Sequence, residues 1–493
     1  MNASIRENCL KQVRAAIPEA MALVEGAGGE LSLAEYARAM PGRGAALQDG
    51  EDLIALAESE AARLFCPATG AALRRELENR FLALTANHHG VDFHPEFLQG
   101  DFIFALGCRD AVPLFTCGGV PCDNVSFPRG ILLAPRTPDT TRPFHLPLLS
   151  NAGRRAFVSA RGPYDPAQIK TALAALPRTP LSPAERRMVE GLAARIYLNP
   201  LVLKQESFRE QMSVANALMW QDLSAPGFRL PPLTCLDFQG LAKDLIVKDL
   251  KKTGTLAYDL LLEREFTEAV FHILNDSRAC WTVHDDKLER GSFLFWAIDE
   301  KRRGVRLTLL PTEHALAAPE RPDMHFPLTA QTLIVALEEE RLLPSLYLSF
   351  AVLAMARGLS CAGGVFQCAY LPRMAEGTAQ ALRRCGESAR ADRLAVSSPL
   401  CTGALPLRAR FSLAHEQENV DCAAGAMEIL ISGGITDLEW AELAETVFRD
   451  AFLCALPYHY EDLIPPNERS AGWMAALTRP APVLLREKAS ARQ

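Results

Sequence analysis

Residues 81–106 read Phe-Leu-Ala-Leu-Thr-Ala-Asn-His-His-Gly-Val-Asp-Phe-His-Pro-Glu-Phe-Leu-Gln-Gly-Asp-Phe-Ile-Phe-Ala-Leu, and this stretch decides the fold class. The apolar run from Phe81 is short and continuous, as in a buried strand. Asn87 and Gly90 bracket a polar turn, and Pro95 stands where a helix can open onto Phe97, Leu98, Phe102, Ile103 and Leu106. Strand, loop and helix in that order form the unit from which parallel sheets are built. Val112–Thr116 predicts a second strand and Ile131–Ala134 a third.

Outward from this unit, the Ala-, Leu- and Glu-rich spacing of residues 1–80 predicts a helical N-terminal region. Residues 81–185 form the core segment, which ends in a connection dense in proline from Pro135 to Pro183 and suited to a domain edge or lid. Residues 186–480 read as a mixed region that completes the body. A helix over Pro183–Leu198 leads into it, and it holds helices over Ser207–Leu223 and Cys235–Leu250 and a β-hairpin of Phe293–Ile298 with Val305–Leu310 around the charged tip Asp299–Gly304. A helical pair over Thr329–Glu340 and Ser345–Arg357 follows, then a glycine-bearing loop over Gly358–Gln367, a late strand over Arg408–Leu413 and a helix over Asp437–Leu453. Residues 481–493 read as a tail. The expected class is therefore α/β or α+β: a mixed, partly parallel sheet with a helical N-terminal region and an antiparallel hairpin insertion.

Composition narrows the function. The 493 residues carry 52 Lys and Arg against 59 Asp and Glu, a formal charge of −7, so no basic excess is present to neutralise nucleic-acid phosphates. Thirteen cysteines from Cys9 to Cys454 show no paired spacing and read as buried, reduced thiols, which points to the cytoplasm. Met1–Ala20 is broken by charge and does not read as a secretory signal, and the longest apolar run, Leu342–Ala356, falls short of the ~20 residues that cross a bilayer. Nucleic acid and membrane are thus not the expected partners. Oligomeric state is not legible.

Three of the ten histidines, His88, His89 and His94, fall within seven residues, directly after a strand, where open α/β sheets bind ligands. The loop and the following helix start suit an anionic group, with His88 and His89 as acid/base or phosphate contacts, Asn87 and Gly90 shaping the loop and His94 in support. The same histidines, with Asp92, also suit a divalent metal and its hydrolytic water. A third alternative is structural, with the imidazoles capping the helix and bonding loop carbonyls. Adjacent residues on an extended segment point to opposite sides, so at most one of His88 and His89 is expected to face a given ligand.

Should the first two strands lie side by side, the loop Cys117-Gly-Gly-Val-Pro-Cys-Asp-Asn124 and Arg129 reach the histidines. Arg129 then clamps a carboxylate or phosphate, Asp123 and Asn124 orient a histidine or substrate, and Cys117 is a conceivable nucleophile. Gly363, Gly364 and Gln367 form a further candidate binding loop, and His284-Asp-Asp286 and Pro457-Tyr-His-Tyr-Glu-Asp462 are weaker polar clusters. Walker, Gly-x-Ser-x-Gly, Ser-x-x-Lys, His-Glu-x-x-His and kinase signatures are absent.

Thr85-Ala-Asn-His-His-Gly90 resembles the histidine-containing phosphate loop of nucleotidyl-transfer enzymes and of cysteine-adding ligases. It departs from their His-x-Gly-His order and no lysine-rich second motif follows, so no role is carried across. The functional expectation is an enzyme for a small anionic metabolite, a ligase or transferase with a phosphorylated, nucleotide or acyl-activated substrate. A metal-dependent hydrolase using the same histidines is the rival, and a non-catalytic scaffold the alternative of a different class.

Overall fold

The computed structural model describes residues 2–485 except 43, 45, 138, 285–286, 395–399 and 413–418. At its centre lie four parallel strands, β1 (Leu82–Leu84), β2 (Val112–Thr116), β3 (Leu233–Asp237) and β4 (Ser360–Ala362), in the spatial order β4-β1-β2-β3. Register is set by Leu82 against Ser360, Leu84 against Leu114 and Val112 against Leu233. All four strands are buried on both faces. Leu82, Leu84, Val112, Leu114, Cys235 and Ala362 feed one core, while Ala83, Phe115, Leu236 and Cys361 feed the other. This is the period-two division of a sheet covered on both sides.

Helix α1 (Glu51–Leu64) and helix α3 (Phe238–Asp249) pack into the second core, and α2 (Pro95–Ala105), with Leu98, Phe102 and Ile103, packs into the first. Helix α4 (Gln367–Arg384) follows β4 and buries Leu371, Met374 and Ala375 in the second core, and α5 (Phe448–Leu463) closes the first. The chain winds from β1 through β2 to β3 and then returns to the far side of β1 as β4. Beside β1 the order reverses, and the loops after β1 and β4 diverge to opposite faces.

The expected mixed α/β fold, with its helical N-terminal region and antiparallel insertion, is present. Strands Phe295–Ile298 and Gly304–Arg306 pair antiparallel around Asp299, whose Oδ1 accepts the N–H groups of Lys301 and Arg303 at 2.9 and 2.8 Å. The third expected strand is present as Gly130–Leu133, paired with Phe144–Pro147 in a hairpin of its own. Three expectations are corrected. The helix expected over Cys235–Leu250 is strand β3 followed by α3, because a strand apolar on both faces reads like the helix that continues it. The expected loop Gly358–Gln367 contains β4 itself, and Val483–Leu485, read as tail, pairs parallel with Leu407–Ala409. Residues 486–493 lie outside the described residues. Among the described residues no helix is long and apolar enough to cross a membrane.

Arg357, three residues before β4, has no exposed side-chain surface. It donates to Asp52 of α1 at 2.8 and 3.0 Å and to Asp249 of α3 at 3.0 and 2.8 Å. Removing one member of such a buried ionic cluster costs about 3–5 kcal/mol, because the remaining charges stay desolvated. Arg357→Ala is expected to lower the unfolding free energy by that amount in urea titrations at pH 7. The effect shrinks on acidification: Arg357 and Lys248 hold the Asp52 carboxyl below its usual range despite partial burial, so its contribution is complete above the unfolded value and is lost as pH falls through the folded one.

Candidate functional site

The loop after β1 is held by backbone and buried polar bonds. The Thr85 N–H donates to Ala362 O at 2.8 Å, joining β1 to β4 one residue beyond the strand. Asn87 and His89 exchange backbone bonds with Cys117, so the first two loops run side by side as expected. Asp92 accepts from Phe93 N at 2.7 Å and Leu132 N at 3.0 Å, and burial raises its carboxyl to about 7. Gly90 is a packing glycine, since a Cβ there would stand 2.6 Å from Pro128 Cα.

With the loop fixed, His88 and His94 face a cavity of about 590 Å3 at the reversal between β1 and β4. Its walls come from distant parts of the chain: Ala86 to Phe97 after β1, Gly364 to Tyr370 after β4, Arg142 and His145 from the proline-rich connection, and His459 and Asp462 from α5. Ligands of open α/β sheets occupy this kind of crevice, outside the carboxyl ends of strands at a switch in order. Val125, 84% exposed, stands on the rim. Phe97 lies 5.4 Å from both His88 and His94 by ring centroids.

His88 Nδ1 lies 3.2 Å from Asn124 Oδ1 and 3.0 Å from Ser126 Oγ, while Ser126 donates its own hydroxyl and its N–H to Asn124 Oδ1, both at 3.1 Å. With an acceptor on that side, the proton sits on Nδ1 and Nε2 is left as a lone-pair base. Burial pushes the imidazole down to about 4, so it is neutral at pH 7. His94 is likewise lowered to about 4 by burial, with His88 and His145 adding to the effect. His459 donates Nε2–H to Gly403 O at 3.0 Å, and burial lowers it too.

The carboxyls move the other way. Burial raises Glu96, in the first turn of α2, to about 7, and its Oε1 is shut off from solvent with no hydrogen-bond partner. Asp462, which opens toward solvent at the cavity mouth, is raised to about 6 by partial desolvation and then by Glu96. Tyr370 OH reaches the Gln367 side chain at 3.4 Å, and Gln367 is pinned by Thr85 Oγ1 at 2.8 Å and Cys361 O at 3.2 Å.

Of the residues singled out from sequence, His88, His94, Gly364 and Gln367 line the cavity, as do His459 and Asp462 of the weaker C-terminal cluster, and Asn124 supports His88 from behind. The others do not line it. His89 is fully buried, its Nε2 2.6 Å from Arg209 O and its Nδ1 bonded to Thr116 Oγ1; the neutral ring therefore donates to the carbonyl and accepts from the hydroxyl. Asn87 donates to buried Asp101 at 3.0 Å. Asp123 is exposed and faces Arg154 at 3.8 Å. Arg129 bonds Asn151 at 2.7 Å and lies 5.0 Å over Phe127, whose ring stacks on His145 at 4.4 Å. Cys117 accepts from Gln239 and burial raises its thiol, while Gln239 Oε1 occupies the N–H groups of Gly118 and Gly119. Gly363 is filled by Gln367, since a Cβ would lie 2.2 Å from its amide carbon. Asp285 and Asp286 lie outside the described residues.

Sequence reasoning missed Glu96, Arg142 and His145. An acidic residue in a first helical turn is ordinary, and the proline-rich segment carries no pattern that marks two of its residues as facing a cavity. Among the described residues no group of three or more His, Cys, Asp and Glu side chains is arranged to hold a metal ion. Comparison of the chain with known protein families, curated proteins and solved structures finds no match in any of the three.

Two outcomes test this geometry. Nitrogen-15 NMR of the His88 ring at pH 7 is expected to report the Nδ1–H tautomer, and Asn124→Ala to shift the population toward Nε2–H. Glu96→Gln is expected to lower the Asp462 midpoint below about 6, measured by carbon-detected titration, without returning it fully to the ordinary carboxylate range, because desolvation is its larger cause.

Proposed function

We propose that this protein is an enzyme that performs general acid–base chemistry on a small molecule enclosed in the switch-point cavity. One observation carries the reading: in a single concave site the carboxyls lie above their usual range and the imidazoles below it. Groups pushed apart in this way divide into acid and base. Glu96 keeps its proton near neutrality and is the donor. His88, with Nε2 unprotonated and Nδ1 tied to Asn124, is the acceptor.

A non-catalytic scaffold has no use for so enclosed and titratable a hollow, and its interface would be flat. Transfer of an activated acyl or phosphoryl group, the finer expectation from sequence, requires such a proton shuttle and gains support from two uncapped helix starts at the cavity, those of α2 and α4. Among the described lining residues the arginine is Arg142 and not Arg129. The metal-dependent reading gains no ligand set from the described side chains. A cytoplasmic setting accords with thirteen free thiols, most of them buried.

The test is depletion of compounds from a cell-extract metabolite mixture, followed by mass spectrometry with wild type and variants side by side. Glu96→Gln and His88→Asn are each expected to slow consumption of the same compound by about 10²–10⁴-fold, the range for loss of one acid or base, while thermal melts stay near wild type. The rate falls above about pH 7 as Glu96 ionises and below about pH 4 as His88 takes a proton. Equal consumption by wild type and both variants rejects the proposal. Arg129→Ala is expected to leave the rate unchanged, because its guanidinium lies behind Phe127 and outside the cavity.

A further inference from the structure

The cavity that supports acid–base chemistry also has an electrostatic imbalance, and that imbalance names the kind of molecule it takes. Two carboxyls, Glu96 and Asp462, reach it from α2 and α5. Among the described lining residues the formal cation is Arg142, whose side chain is 66% exposed and lies 3.8 Å from Glu461, a neighbour already bonded to Thr140 and Thr141. The histidines add no charge while they are neutral. Glu96 Oε1 is shut off from water and bonded to nothing, and such an oxygen normally has a partner. Around it the walls are apolar and aromatic: Phe97, Leu346, Phe366 and the ring of Tyr370.

We propose that the substrate is an organic amine, bound as its ammonium between Glu96 and Asp462 with its apolar part against Phe97, Leu346 and Phe366. An ammonium offers three donors and one positive charge, which answers the unpartnered oxygen and the unbalanced carboxylate together. Aromatic faces add to the attraction for a cation in a desolvated site. An anionic headgroup in the same place would face two carboxyls with Arg142 only at the mouth. The inference rests on the acid–base reading and extends it: Asp462 carries the counter-charge, while Glu96 retains the proton it donates. The groups facing the pair are His94 beside Glu96, Tyr458, His459 and Glu461 on α5, and Arg142 across the mouth.

The experiment measures binding of phenethylamine, phenethyl alcohol and phenylpropionate to the full chain by calorimetry and thermal shift. Wild type is expected to bind the amine at least about tenfold more tightly than the alcohol, and the carboxylate least of all. Asp462→Asn is expected to abolish the preference for amine over alcohol, whereas Glu96→Gln, which keeps a neutral side chain with an acceptor oxygen, is expected to retain it; because the ratio is taken on the same protein, a change in folding does not imitate the result. Amine affinity is expected to rise about fivefold from pH 5 to pH 6 and about tenfold from pH 5 to pH 7, as Asp462 ionises with a midpoint of about 6. Equal binding of amine and alcohol, or tighter binding of phenylpropionate, overturns the amine inference and leaves the acid–base proposal standing on its own assay. Absence of binding by all three likewise overturns the amine inference. Amine preference that survives in Asp462→Asn removes Asp462 as its cause and overturns it as well.

Discussion

The buried guanidinium of Arg357 is the constraint on which the arrangement depends. Its five N–H groups reach Asp52 on α1, Asp249 on α3 and the carbonyl of Val352, tying an N-terminal helix, a crossover helix and the approach to β4 into one cluster. Strand β4 is only three residues long and follows almost at once. A strand that short has little pairing energy of its own, and its place beside β1 is held from outside by ion pairs that become costly once any member is lost. Because β4 sits there, the loops after β1 and β4 part to opposite faces and leave the hollow between them.

Inside that hollow one physical effect leads for Glu96, Asp462, His88, His94 and His459. Withdrawal from water penalises the charged form, so Glu96 holds its proton and His88 and His94 shed theirs. No special partner is required for the inversion; enclosure by Phe97, Phe366 and Val365 is enough. The same effect acts on Asp92 and Glu428 behind the site, both raised to about 7. There the carboxylates are occupied by backbone N–H groups, Phe93 and Leu132 for one and Gly425 and Ala134 for the other. Two buried acids thus brace the loops, while a third, Glu96, lines the cavity and keeps one oxygen without a partner. Hydrogen-bond occupancy, and not acidity, separates the bracing groups from the available one.

What was legible in the sequence was what is local. Leu82–Leu84, Pro95–Ala105 and Val112–Thr116 declare themselves through a short apolar run, a proline at a helix start and a turn between them. Strand β3 did not, because Leu233–Asp237 is apolar on both faces and runs without a break into Phe238 of the next helix. Strand β4 was hidden between a helix ending at Gly358, whose φ is +76°, and the glycines that follow. In the site, the rule that neighbours on an extended chain diverge was enough to split His88 from His89, but only packing could tell which one met Arg209 and which met the cavity. Arg142 and His145 reach the site through a fold of the chain that no spacing encodes. The stretch Pro457–Asp462 was visible as a polar cluster, yet its role depends on α5 docking over residues several hundred positions earlier.

That distance has a consequence for how the protein is made. Glu96 and His88 are synthesised early and Asp462 and His459 late, and at ~5–20 residues per second the ribosome takes roughly 20–70 s to pass from one group to the other. During that interval the early half of the hollow is open on the side that α5 later covers, and His88 and Glu96 lack their full enclosure. The withdrawal from water that sets their protonation is therefore complete only once the last long helix docks, and an unfinished chain lacks it.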